Sequence, residues 1–143
     1  MAAGFSITNA VAAAMQTALA TATDAGTAAV IEIYDSTGGV PTDANAGIGS
    51  CALLASLTCS ATAFTATTTA NPSVLTMGTI GSDTSADSTG LAAFFRIKTQ
   101  TAGTVIAQGT AGVGSFDLAL NTTSFTSGST VSITSATVSL PAS

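Results

Sequence analysis

After Gly26 the hydrophobic period of this chain drops from about four residues to two, and that switch constrains the fold more than any other feature of the sequence. Before it, Ile7, Val11, Met15 and Leu19 recur every four residues, and Ala10, Ala14 and Ala18 widen the stripe. The spacing predicts one helix over Ser6 to Thr23, with Ser6 as N-cap and Gly26 near the C′ stop position. The stripe has two uses open to it: facing this domain's own sheet, or facing another subunit. Beyond Gly26, Ala29, Ile31 and Ile33 alternate with Val30, Glu32 and Tyr34, the mark of a half-buried strand. Asp35-Ser36-Thr37-Gly38-Gly39 then supplies turn chemistry.

The same reading places a second strand over Ser50–Thr58 and further strands around Phe64 and over Val74–Ile80. Gly81–Gly90 reads as a polar loop. Leu91–Thr99 reads as a strand with Phe95 and Ile97 on one face and Phe94, Arg96 and Lys98 on the other. Thr104–Gln108 is its hairpin partner across Thr101-Ala102-Gly103. A turn over Gly109–Gly114 leads into Ser115–Leu120, and Thr130–Leu140 closes the chain. In that last strand Val131 and Ile133 are odd positions, whereas Ala136, Val138 and Leu140 are even. A strand changes faces only through an extra residue, so a β-bulge is expected near Thr134–Ser135.

The expected fold is mainly β: an antiparallel β-sandwich of about seven or eight strands with one N-terminal α-helix. It forms one domain over 1–143, helical over 1–25 and sandwich over 26–143. The expected core is Ile31, Ile33, Leu53, Leu57, Phe95, Ile97, Leu118, Leu120, Val131 and Ile133. Residues 1–25 hold Ala-x-Ala sites but no basic residue before the apolar part, so they read as structure rather than a leader.

Charge narrows the function. Only 6% of the 143 residues are charged, against a usual share of roughly 25%. Alanine, threonine and serine fill about half of the chain. Seven acids and two bases, Arg96 and Lys98, give a net charge of −5. Two cations make no basic patch, which argues against nucleic acid and anionic membrane surfaces as partners. No apolar run is long enough to span a bilayer as a helix.

Catalytic chemistry finds little to work with. The chain has no histidine, hence no Ser-His or Cys-His pair, and no GxSxG or P-loop. The acids are scattered over turns and strands, so no enzyme activity and no cofactor are expected. Gly81-Ser82-Asp83-Thr84-Ser85-Ala86-Asp87 is the one loop with several oxygen ligands for Ca²⁺, but it lacks the EF-hand spacing and a bidentate Glu. Cys51 and Cys59 would stand about 26 Å apart on one strand at ~3.3 Å per residue, too far for a disulfide. They fall in register with Leu53, Ala55 and Leu57 and read as small buried hydrophobes, with pairing to other subunits the alternative. Without His or a CxxC, no zinc site is expected.

Several segments together resemble a known family. They are Ile31-Glu32-Ile33-Tyr34-Asp35, Leu53-Leu54-Ala55-Ser56-Leu57-Thr58, Ser85–Gly90 leading into Phe94-Phe95-Arg96-Ile97-Lys98, Val105–Thr110, Asp117–Thr123 and Gly128–Ser135. In this order, after an alanine-rich helix, the chain resembles small tailed-phage virion proteins encoded among head and tail morphogenesis genes. The resemblance implies a virion component without catalytic residues. Size, β character and low charge are similar to capsid decoration (cement) proteins, which sit on the shell as symmetric oligomers, often trimers, bound to the major capsid protein. Head–tail joining or tail proteins, and bacterial surface or filament subunits, are the alternatives. The expected interface residues are Ile7, Val11, Met15 and Leu19.

Overall fold

A computed structural model describes residues 7–24, 28–62, 64–67, 73–100, 103–114 and 117–140. Helix α1 runs over Asn9–Thr23. Thr8 is its N-cap, in extended backbone, and its hydroxyl accepts the Val11 N–H at 3.3 Å. The Asp24 N–H donates to the Ala20 carbonyl at 3.1 Å and closes the last turn. Helical structure therefore starts later than the spacing predicts. The expected N-cap, Ser6, and stop, Gly26, lie outside the described residues.

Ten strands follow among the described residues: β1 (Val30–Tyr34), β2 (Leu53–Thr58), β3 (Phe64–Thr67), β4 (Ser73–Met77), β5 (Gly90–Leu91), β6 (Phe94–Lys98), β7 (Val105–Gly112), β8 (Leu118–Leu120), β9 (Ser124–Phe125) and β10 (Ile133–Leu140). Eight form one sheet in the order β2-β1-β6-β7-β8-β10-β4-β3, and β5 pairs with β9. The fold is mainly β with one N-terminal helix, as the period switch requires. The sheet curls: beyond β2, Cys59 bridges Ile80 just after β4, with Ser60 N–H on Thr79 O at 2.8 Å and Gly81 N–H on Thr58 O at 2.9 Å. The curl wraps the sheet around one main core, which gives the fold its sandwich-like form.

Two expectations about connectivity are corrected. Gly109–Gly112 is strand rather than turn, and the chain bends only at Val113–Gly114. β7 continues through Gly112, because Gly109 lets the strand lie directly on Phe95: a Cβ there would stand 2.7 Å from Phe95 Cε1. β8 then pairs with β7 in parallel, the exception to the antiparallel pattern. The Asp117 carboxylate fixes that return by accepting the Thr110 N–H and hydroxyl, each at 2.9 Å. The predicted bulge is present: Ile133 pairs with Leu120 and Ser135 with Ala119, leaving Thr134 as the extra residue. Its hydroxyl donates to Ala119 O at 3.0 Å.

The core contains Ile31, Ile33, Leu57, Phe95, Ile97, Leu118, Leu120 and Val131 as expected, all buried. Leu53 and Ile133 are only partly buried. A second bulge is the reason for Leu53. Tyr34 pairs with Leu53 and Ile33 with Ala55, so Leu54 is the extra residue and takes the core position, fully buried. The bulge splits β2 between two clusters. Ala55, Leu57 and Cys59 join the main core, while Leu53 and Cys51 join Tyr34, Phe94, Ile48 and Ala93 on the other side of the sheet. The shared register expected for Cys51 and Cys59 is therefore absent.

Both cysteines are free and buried. We expect native protein to show little thiol reactivity, both thiols to react on unfolding, and a non-reducing peptide map to contain no Cys51–Cys59 link. Such a link in a monomer would contradict the strand assignment.

Candidate functional site

The buried side of α1 carries small and polar residues: Ala12, Ala13, Gln16 and Thr23. Leu19 and Ala20 pack against the main core, and the helix lies on β3 and β4. Small side chains let the helix approach the sheet closely. The consequence is on the outer side. Val11 and Met15 are 48% and 49% exposed, with Ala10, Ala14 and Ala18 exposed beside them. The stripe of expected interface residues thus divides: Leu19 leans on the core, Ile7 is half-buried, and Val11 and Met15 face outward. No residue from Asn9 to Thr23 is charged.

The chain's two cations are used within it. Arg96, expected with Phe94 and Lys98 on the face opposite Phe95 and Ile97, is 4% exposed. Its Nε donates to Gln108 Oε1 at 2.9 Å, and its second nitrogen donates to Ala46 O at 2.6 Å and Asp43 O at 3.4 Å. Gln108 in turn donates to Pro41 O at 2.9 Å. These bonds fasten the 41–46 segment over β6 and β7. Lys98 pairs with Glu32 at 2.5 Å and donates to the Tyr34 hydroxyl at 3.2 Å, and Tyr34 also donates to Glu32. Tyr34 stacks on Phe94 with ring centroids 5.1 Å apart.

The acids clamp turns. Asp35 accepts the Thr37 hydroxyl and N–H and the Ala52 N–H. Those bonds, the Thr37 hydroxyl first, hold its carboxyl below the usual carboxylate range. Asp43 accepts the Asn45 and Ala46 N–H groups. In the loop considered for calcium, Asp83 accepts the Ser85 and Ser56 N–H groups, each at 2.9 Å, and its backbone bridges Val131. That loop serves to tie β2 to the segment before β10. Among the described residues no three His, Cys, Asp or Glu side chains gather as a metal-ligand set.

No protein-family model, curated protein or solved structure matches this chain. The residues themselves must carry the functional reading. An open groove of about 530 Å³ lies between the end of α1 and β3, lined by Thr17, Ala20, Thr21, Asp24, Thr62, Phe64 and Thr65. Its lining is hydroxyl and methyl, with Asp24 the one ionisable group. No helix among the described residues is long and apolar enough to cross a membrane.

Three groups link stability to alkaline pH. Burial, helped by Asp24, pushes the Cys59 thiol up to about 11 from 9.0. Burial and the Glu32 bond raise Tyr34. For Lys98 burial acts downward, but the Glu32 and Tyr34 bonds outweigh it and the net direction is up. A raised native pKa means the native state holds the proton more tightly, so the stabilisation is complete at low pH and lost as pH rises. We expect denaturation midpoints to fall between pH 9 and about 11. Cys59→Ala should flatten the part of the loss that begins near pH 9. An undiminished loss in that variant would contradict the assignment.

Proposed function

We propose that the chain is a non-catalytic phage virion protein, a capsid decoration (cement) subunit that braces the head shell from outside as a homo-oligomer. The major capsid protein is its partner and the head surface its place. One observation carries the reading. Arg96 and Lys98, the two basic residues already counted in the net charge of −5, are both engaged in contacts within the chain. A small domain standing alone in water usually keeps a surface of mixed charge. This one presents hydroxyls and methyls instead, with Val11, Met15, Val40, Leu91 and Val113 all exposed. Such a surface suits contacts repeated around a symmetry axis against other subunits, where each copy adds the same small gain. The sequence resemblance to tailed-phage virion proteins supports the same reading, and it favours the head because cement proteins share this size and composition.

The test mixes purified protein with undecorated capsids at low and high salt. Binding is expected at both, since the two basic residues, Arg96 and Lys98, are engaged within the chain and leave little attraction for salt to screen. Absence of binding at both, with the protein recovered from isolated tails or from cell-surface filaments, would reject decoration in favour of a tail or filament role.

A further inference from the structure

We propose that residues 40–48 form a lid over the outer face of the sheet, hinged at Gly39 and Gly49, which opens as a unit while the strands beneath stay folded. The lid is a property of the fold and does not depend on the proposed function. The connection from β1 to β2 closes at a neck. There the Asp35 N–H donates to Ala52 O at 3.1 Å, and the Ala52 N–H donates to the Asp35 carboxylate at 2.8 Å. Gly38 lies so close to the returning chain that a Cβ on it would stand 2.7 Å from the Ser50 nitrogen. Beyond the neck the chain leaves through Gly39 at φ 81° and comes back through Gly49 at φ 59°. Glycine moves between positive and negative φ at little steric cost. Hinges are a few residues of this kind that absorb the backbone change for a whole segment.

The lid is held down by side chains of the sheet. The Arg96 guanidinium donates to Ala46 O at 2.6 Å and Asp43 O at 3.4 Å, and Gln108 donates to Pro41 O at 2.9 Å. Ile48 adds an apolar contact with the cluster of Tyr34, Cys51 and Phe94, and the Cys51 thiol donates to Gly39 O at 3.3 Å. From Ser36 to Ser50 no residue is buried. Segments with so little buried surface are the ones that open before the whole fold does. Other bonds of the lid are its own and travel with it: the Asp43 carboxylate accepts the Asn45 and Ala46 N–H groups. Arg96 keeps its bond to Gln108 when the lid lifts, and its remaining donors then meet water, so opening strands no buried cation. What opening uncovers is apolar: Phe94, Tyr34 and Cys51, all buried while the lid is shut.

The two thiols report the two kinds of opening, because Cys51 lies in the cluster under the lid and Cys59 in the main core. The test labels both in the full chain with a maleimide, at a reagent level where labelling is slower than reclosing. A series of low urea concentrations is used, and each site is read by peptide mass spectrometry. Cys51 should label slowly, at a rate almost independent of urea, since lifting the lid exposes little surface. Cys59 should label only through global unfolding, with a steep dependence on urea. Gln108→Ala removes one of the latch bonds and should raise the Cys51 rate severalfold, with an unchanged circular dichroism spectrum. Leu118→Val weakens the main core and should raise the Cys59 rate while leaving the Cys51 rate as it was. Equal urea dependence for the two thiols, acceleration of both by Leu118→Val, or no acceleration of Cys51 by Gln108→Ala would each overturn the lid.

Discussion

Leu54→Ala should cost about 2–5 kcal/mol, the range for truncating a fully buried leucine, and Leu53→Ala clearly less. The two residues are adjacent and chemically identical, so the contrast isolates the bulge in β2. Leu54 is wholly inside the main core, in the company of Ile31, Ile33 and Phe125, and its Cδ2 would stand 2.8 Å from a Cβ placed on Gly90. Leu53 is partly exposed and packs on the smaller cluster around Tyr34 and Phe94. Chemical denaturation of the two variants checks this. Equal losses, or a larger loss at Leu53, would mean that β2 runs without the bulge and in the other register.

Arg96→Met should be the second large effect, about 2–4 kcal/mol. The methionine keeps the stem but leaves the carbonyls of Asp43 and Ala46 and the side-chain oxygen of Gln108 without their donor. A fully buried acceptor so stranded costs about 1–3 kcal/mol, and these part-buried ones together reach the range given. The 41–46 segment loses its tie to β6, so amide hydrogen exchange there should accelerate while exchange in β6 changes little. A loss below about 0.5 kcal/mol, the scale of ordinary surface positions, would show that the guanidinium is solvated after all.

These two residues also mark what the sequence makes legible. The bulge at Thr134 can be read directly, because hydrophobic residues switch parity between Ile133 and Ala136 and no other device moves a strand to its opposite face. The bulge at Leu54 leaves no such trace: Leu53 and Leu54 are both apolar, so either register satisfies the core. Arg96 alternates correctly for a solvent face and still ends buried, because its partners are backbone carbonyls of a loop fifty residues away, and carbonyls carry no sequence signature. Phe94 hides its partner in the same way. It reads as the outer face of β6, but Tyr34 and the chain from Ile48 to Leu53 build a second cluster over it. β9 is two residues long and gives no periodicity to detect.

For the candidate site, the four-residue stripe on α1 is plain in the sequence, and its division is not. Apolar spacing alone does not choose between Val11 and Met15 or Ala12 and Gln16 as the side toward the sheet, and in the structure Ala12 and Gln16 are buried there. The apolar stripe is then left facing outward.

A density map of the assembled particle tests the central claim most directly. The account predicts subunits with one helix and a curled sheet repeated over the outer surface of the head, contacting the major capsid protein. Density for this fold confined to the neck or tail, or absent from the particle altogether, would contradict it.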